Sequence, residues 1–316
     1  MNNIQNIYIS IIVPCYNEEN AIELTHAEII KVIKNNQYNY ELIYVDDGSI
    51  DETFDKIIQF AKVDKNVRIL KLSRNFGEQA AISAGINNCK GDIAIIIEAD
   101  LQDPPEVISQ MINKYQEGNA NVIYGVRKSN RSDKIFKKIS ANLYYRLINK
   151  MSETNLPLHS ADFRLIDRKV INTFNSFRER KKYIRGIISW IGFKQLPIYY
   201  SRKKRIAGST KYTLSKMFDF AATGLLYFTK KPLKFVKHIG LILFIAGVVL
   251  LVALIFLFFS SHSQNLSSWH ILGLLIILLS GIQLISIGII GEYISGIFDE
   301  AKNRPEYIID KDINFE

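Results

Sequence analysis

No charge interrupts the 21 residues from Ile239 to Phe259 or the 23 from Trp269 to Gly291. At ~1.5 Å rise per residue, a helix of either length exceeds the ~30 Å hydrocarbon core of a bilayer. Both runs are apolar all round, whereas a helix packed on a soluble core is apolar along one stripe. Neither is N-terminal, so neither reads as a signal peptide. Two transmembrane helices are therefore expected within residues 235–291, joined by a short external loop at 260–268. That loop has no Lys or Arg, while Lys230, Lys231, Lys234 and Lys237 precede the first span. The positive-inside rule then puts both termini in the cytoplasm, in a cell or inner membrane, with residues 292–316 as a cytoplasmic tail. His270, Ser280, Gln283 and Ser286 are polar positions suited to helix–helix contact, and two thin spans favour a homo-oligomer.

The net charge of +9 is as unevenly spread as the hydrophobicity. Phe177–Lys237 holds 16 Lys and Arg against Glu179 and Asp219, a net of +14, which leaves −5 for the rest. Beside a membrane span such a block reads as an anchor for a bilayer with anionic headgroups; a tethered chain argues against nucleic acid as the partner. Within it, Leu214, Met217, Phe218, Ala221, Leu225 and Phe228 share one helical face. This predicts an amphipathic helix in the juxtamembrane region 213–234, lying in the interface; a helix packed on the soluble domain is the alternative. Cys15 and Cys89 lack metal-ligand spacing and are read as reduced, structural thiols.

Residues 1–125 alternate short apolar runs with helical patterns. Strands are predicted at Ile7–Val13, Glu41–Val45, Val67–Leu72, Asp92–Ile97 and Asn121–Tyr124. Helices are predicted at Glu18–Lys34, Glu52–Ala61, Glu78–Asn88 and Pro105–Tyr115, the second opened by a capping box, Ser49-x-x-Glu52. Such alternation predicts an α/β fold with right-handed βαβ units and a mostly parallel sheet. A basic helical stretch at 127–150 follows, then a strand at Phe163–Ile166, helices at Arg168–Asn175 and Tyr183–Ile191, and a last strand at Gln195–Tyr200.

In these sheets ligands bind beyond the carboxyl ends of the strands. Those ends carry Pro14-Cys15-Tyr16-Asn17-Glu18, Asp46-Asp47-Gly48-Ser49, Ser73-Arg74-Asn75 and Glu98-Ala99-Asp100-Leu101-Gln102. In extended geometry Glu98, Asp100 and Gln102 would share one face. Three oxygen ligands there suit a hard divalent ion, Mg2+ or Mn2+, shared with substrate phosphates. The competing reading is an acidic loop in which Asp103 caps a helix started by Pro104 or Pro105. Neither G-x-G-x-x-G nor a P-loop is present, so any phosphates would depend on a metal and on Arg or Lys side chains.

Several segments, in order along nearly the whole chain, match a known family. They are Val13-Pro14-Cys15-Tyr16-Asn17-Glu18-Glu19, Val45-Asp46-Asp47-Gly48-Ser49, Leu72-Ser73-Arg74-Asn75-Phe76-Gly77 and Asp100-Leu101-Gln102-Asp103-Pro104-Pro105-Glu106. Asp162-Phe163-Arg164-Leu165-Ile166-Asp167-Arg168, Arg205-x-x-Gly208-Ser209-x-Lys211-Tyr212 and the paired C-terminal spans extend the match. The chain resembles the family 2 glycosyltransferases of GT-A fold, and among them the polyprenyl-phosphate glycosyltransferases. Dolichol-phosphate mannose synthases belong here, as do, more closely, the bactoprenol glucosyltransferases of O-antigen modification.

The resemblance implies a GT-A domain over residues 1–212 and roles for matching residues. Pro14, Tyr16, Glu18, Asp46 and Asp47 would hold the base and ribose of a nucleotide-sugar donor, with Arg74 and Ala99 counted in the same donor set. Glu98, Asp100 and Gln102 would bind the metal that bridges the donor diphosphate. Arg127, Arg131, Arg205, Ser209 and Lys211 resemble the phosphate-binding set. Asp162 occupies the place of a proposed catalytic carboxylate, with a structural carboxylate paired to Arg164 or Arg168 as the alternative. Two positions depart from the family: Glu98 stands where Asp is usual, moving the carboxylate by ~1.5 Å, and Ala161 replaces a Gly.

The implied reaction is inverting transfer of a sugar from a nucleotide-sugar, a UDP-sugar preferred over GDP-mannose, to polyprenyl phosphate at the cytoplasmic membrane face. The acceptor oxygen is already anionic and needs positioning more than deprotonation. Two other readings compete with it. A processive polysaccharide synthase would carry Gln-x-x-Arg-Trp, but Trp190 and Trp269 follow serines. A silent membrane scaffold with a degenerate nucleotide site finds its one encouragement in Glu98.

Overall fold

All seven residues from Ile9 to Cys15 of the first strand are buried. A strand that is apolar without alternation is covered on both faces, the position of a central strand between two helical layers. The structure, a computed structural model, describes residues 7–127, 160–179, 182–202 and 268–315, with isolated helical positions between 242 and 252. Its strands are β1 (Tyr8–Cys15), β2 (Asn39–Asp46), β3 (Val67–Leu72), β4 (Ile93–Ile96), β5 (Val122–Arg127), β6 (Ser160–Asp167), β7 (Gln195–Tyr200) and β8 (Ile309–Ile313). They form one sheet in the order β7-β5-β6-β4-β1-β2-β3-β8. β6 and β8 run antiparallel to their neighbours and the other strands share one direction. The sheet is mostly parallel, as expected.

The connecting helices are α1 (Ile22–Asn36), α2 (Thr53–Val63), α3 (Glu78–Asn88), α4 (Val107–Gln116), α5 (Arg168–Ser176) and α6 (Ile184–Ile191). Both β2 and β4 pair with β1, on opposite sides. The chain therefore reverses its direction of growth across β1, and the crevice beyond the carboxyl ends of β1 and β4 is where such sheets receive ligands.

At the other end of the strands a buried carboxylate ties four segments together. Glu41 on β2 is fully buried. It accepts the Ser10 hydroxyl at 2.5 Å and the amides of Lys90 and Gly91 at 2.5 and 3.2 Å, and it pairs with Arg68 at 2.6 Å.

The capping box does not form. α2 starts at Thr53, whose amide donates to Asp51 Oδ1 at 3.0 Å. Ser49 instead accepts the Asn17 amide at 3.0 Å, joining the loops after β1 and β2. β5 runs on to Arg127, where a helix had been expected to start, because it pairs in parallel with β7 as far as Tyr200.

A further difference is at the C-terminus. Ile309–Ile313, expected in a tail, lies antiparallel to β3. Asn314 anchors the strand through Ala61 O at 3.0 Å and Val67 O at 2.8 Å, and Asn87 donates to Tyr307 at 2.8 Å.

Two compact units divide the chain; residues 304–316 belong with the sheet. The other unit contains α7 (Ser268–Ala301), a helix of 34 residues. Within it the 23 residues Leu279–Ala301, mean hydropathy 1.5, are long and apolar enough to cross a membrane. The first expected span lies largely outside the described residues, as do the 128–150 stretch and the 214–228 helix.

Candidate active site

The loop after β1 is held from below by the loop after β2. Besides the Asn17–Ser49 bond, the Glu18 amide donates to Thr53 at 2.8 Å and Asn17 Oδ1 accepts the Ile50 amide at 2.9 Å. Asn17 adopts φ 52°, a left-handed turn that Asn tolerates. This places Tyr16 and Glu18, both half-buried, beside buried Pro14 at the switch point.

The two aspartates that end β2 divide their work. Asp46 Oδ1 accepts the Ser49 amide at 3.2 Å. Asp46 Oδ2 is buried and has no hydrogen-bond partner among the described residues. Burial raises its pKa, against the Ser49 hydrogen bonds that lower it. Asp47 faces the loop after β3 and accepts the amides of Phe76 at 2.7 Å and Gly77 at 2.9 Å. Its carboxyl is engaged by protein, although it was expected in the donor-binding set. Burial pushes it to about 6 despite those two donors. Arg74 is exposed, its guanidinium 4.7 Å from the Phe76 ring.

β4 stops at Ile96, and the acidic segment beyond it is a turn, with Leu101 at φ 54°. The alternation that would put Glu98, Asp100 and Gln102 on one extended face therefore does not apply. Ala99 O accepts the Thr25 hydroxyl of α1 at 2.6 Å, and Asp100, which is buried, accepts the Gln102 amide at 3.0 Å. Asp103 does not cap α4, whose N-cap is Glu106. The buried Asp103 carboxylate accepts the Tyr200 hydroxyl at 2.6 Å and Arg127 at 3.2 Å. Arg127 also donates to Glu98 at 3.3 Å and to Tyr200 at 3.2 Å, while Arg202 stands 3.9 Å from Glu98. Burial, followed by Glu78 and Asp103, raises the Glu98 carboxyl to about 8, with Arg127 opposing.

Among the described residues no three His, Cys, Asp or Glu side chains are arranged as a metal site. The donor chemistry of the turn still fits a hard cation, with two carboxylates and an amide carbonyl within five residues. Glu98, shared between two guanidiniums, would have to leave Arg127 to become a ligand.

β6 enters the same edge from the opposite direction. Asp162, 3% exposed, meets Arg185 of α6 in a two-pronged contact: Nε to Oδ1 at 2.8 Å and Nη2 to Oδ2 at 2.5 Å. Arg164 is 3.8 Å away, whereas Arg168 turns to the carbonyls of Cys89 and Gly91. Burial alone would raise the Asp162 carboxyl, but Arg185, then Arg164 and Arg127, outweigh it and hold it at about 2. Arg185, Tyr200 and the network role of Asp103 were absent from the expected site. Arg131, Arg205, Ser209 and Lys211 lie outside the described residues.

The edge thus gathers carboxylates from β2, from the turn after β4 and from β6 with guanidiniums from β5, α6 and the residues just after β7. Residues 10–174, slightly over half the chain, match the family model described as Glycosyl transferase family 2. The uncharacterized glycosyltransferase YkcC of Bacillus subtilis (strain 168) is 40% identical over 99% of this chain and 96% of its own length. The SfII prophage-derived bactoprenol glucosyl transferase of Shigella flexneri is 36% identical over 96% of this chain and 97% of its own. Among solved structures, glucosyl-3-phosphoglycerate synthase from Mycobacterium tuberculosis, crystallised with Mn2+, uridine diphosphate and phosphoglyceric acid, superposes with a TM-score of 0.50. It is 15% identical, over 70% of this chain and 77% of that one. At that identity the likeness speaks for the fold, a GT-A-like α/β sheet. With the fold shared and relatives matching almost from end to end, the chain is a glycosyltransferase of family 2.

Proposed function

We propose that this enzyme moves a hexose from a nucleotide-sugar, preferentially a UDP-sugar such as UDP-glucose, to polyprenyl phosphate at the cytoplasmic face of the membrane. The observation that carries the donor half is Asp46 Oδ2 at the carboxyl end of β2, next to Cys15 of β1, a buried acceptor without a hydrogen-bond partner among the described residues. An unsatisfied buried acceptor costs about 1–3 kcal/mol, which an N–H or O–H of a bound nucleoside would recover. The acceptor half is supported by relatives named bactoprenol glucosyl transferases, whose match extends through the apolar α7. Two spans, a cytoplasmic sheet domain and an interfacial helix at 213–234 belong to the same reading. A long isoprenoid leaves the bilayer only at ~0.8 kcal/mol per CH₂, so the enzyme must work at the membrane surface.

Glu98, Asp100 and Gln102 would hold Mg2+ or Mn2+, which when bound would offset the charge that develops on the departing nucleoside diphosphate. Arg127 and Arg202, with Arg131, Arg205 and Lys211, would supply the remaining counter-charge, and Ser209 a hydrogen bond to phosphate. An oxygen of the lipid phosphate attacks the anomeric carbon as the bond to the diphosphate breaks. The nucleoside diphosphate leaves with the electron pair, and the anomeric configuration inverts. No proton need be removed from the nucleophile. That agrees with Asp162, which is held ionised by Arg185 and is a weak base.

The test is release of nucleoside diphosphate from UDP-glucose by the detergent-solubilised chain, with and without undecaprenyl phosphate. Lipid-dependent release that falls about 100-fold in Asp100→Ala is expected. Equal release without lipid would overturn the acceptor assignment. Calorimetry with UDP-glucose, UDP-N-acetylglucosamine and GDP-mannose ranks the donors.

A further inference from the structure

Arg185 sits where a cation is disfavoured. It is the second residue of α6, and the helix's first turn carries no acidic residue to offset the positive end of its dipole. The position is nonetheless rigidly set. The Ile184 amide donates to Gln79 Oε1 at 3.1 Å; Ile184, Ile187 and Ile188 are buried; and Gln195 donates to the Ile188 carbonyl at 2.9 Å. The counter-charge comes from another element, Asp162 of β6, through the two-pronged contact. A planar guanidinium meeting both carboxylate oxygens fixes orientation as well as charge, which a lysine cannot reproduce.

Asp162 lies on the edge that the proposed function assigns to the reaction, and the proposed acceptor is an anion. A lone buried carboxylate there would repel it. With Arg185 and Arg164 the group of three carries a net charge of +1, and both oxygens of Asp162 are turned onto Arg185. We propose that Arg185 is a positioning residue for the acceptor: it neutralises Asp162 and keeps the β6–α6 corner cationic, so that a polyprenyl phosphate can approach the donor. The inference rests on the lipid-phosphate reading above.

The test compares wild type, Arg185→Gln and Arg185→Lys, with kcat and KM measured separately for UDP-glucose and undecaprenyl phosphate. Removing one charge-assisted contact should raise the acceptor KM about tenfold or more in Arg185→Gln, with the donor KM within about twofold of wild type. Arg185→Lys, which keeps the charge but not the fork, should recover part of that loss. Equal rises in both KM values, no rise in either, or a lysine variant no better than glutamine would overturn the inference. If Arg185→Gln does not fold, the same split in Arg185→Lys decides. A wild type indifferent to undecaprenyl phosphate would instead overturn the function proposed above.

Discussion

Asp47 holds Gly77 in place: its Oδ2 accepts the Gly77 amide at 2.9 Å while Oδ1 takes the preceding amide of Phe76 at 2.7 Å. Two loops from neighbouring strands are locked by a single carboxylate. Asp47→Ala leaves both amides without their acceptor and should cost about 1–3 kcal/mol. The expected result is a lower unfolding midpoint and a raised donor KM, because the loop after β3 borders the crevice.

Gly48 next to it has φ +70°, and a Cβ there would lie 2.5 Å from the backbone carbon of Arg74. Gly48→Ala combines left-handed strain with a clash against main chain, so a loss of about 2 kcal/mol or more is expected. Urea unfolding of the solubilised enzyme measures it. Wild-type stability would show that the two loops do not approach this closely.

Glu41 is a buried acid engaged by four partners, and Glu41→Ala strands Arg68 without its counter-ion. Breaking a buried pair from one side costs about 3–5 kcal/mol. The variant should accumulate poorly and unfold early, although Glu41 lies at the opposite end of the strands from the reaction edge.

His26 gives a pH dependence. Its ring stacks on Phe60 at 3.9 Å, and Nδ1 is 3.1 Å from the Tyr44 hydroxyl. Burial lowers its pKa from 6.5 to about 4. Between those values the unfolded chain takes up a proton that the folded chain refuses. The histidine's contribution is therefore complete above pH 6.5 and declines as the pH falls toward 4. Discounted for partial exposure, the loss is on the order of 1–2 kcal/mol. His26→Phe should flatten the fall of the unfolding midpoint between pH 7 and 4, while lowering the midpoint itself because Tyr44 loses its partner.

The local parts of this fold could be read without coordinates. Val67–Leu72, Glu78–Asn88 and Gln195–Tyr200 end where the pattern predicts, because strand alternation and helix periodicity are short-range. The residues converging on one edge followed from the parallel sheet. What could not be read was pairing across sequence. Asp162 keeps Arg164 at 3.8 Å but makes its two-pronged contact with Arg185, 23 positions on, and Asp103 finds Tyr200, 97 positions on. Strand order sets those contacts, and no local periodicity encodes it. Arg185 was further hidden inside a basic block whose bulk charge already had an explanation. The acidic turn departs from its pattern for the converse reason: alternation holds only within a strand, and the strand ends at Ile96, with Leu101 turning left-handed beyond it.

β8 was missed because three of its five residues are charged and four of them are exposed, the composition of an edge strand. Deleting residues 304–316 uncovers the β3 edge and removes the Asn314 anchors. The shortened chain should unfold at lower temperature and aggregate by edge pairing; light scattering on mild heating is the check.

The order of synthesis follows from that last strand. β3 emerges from the ribosome some 240 residues before its partner β8, and α7 is made in between. The sheet can be finished only after the apolar helix has left the ribosome. Completion of the sheet is thereby timed to follow synthesis of that helix, and a nascent chain stalled before residue 304 would be left with an unsealed edge.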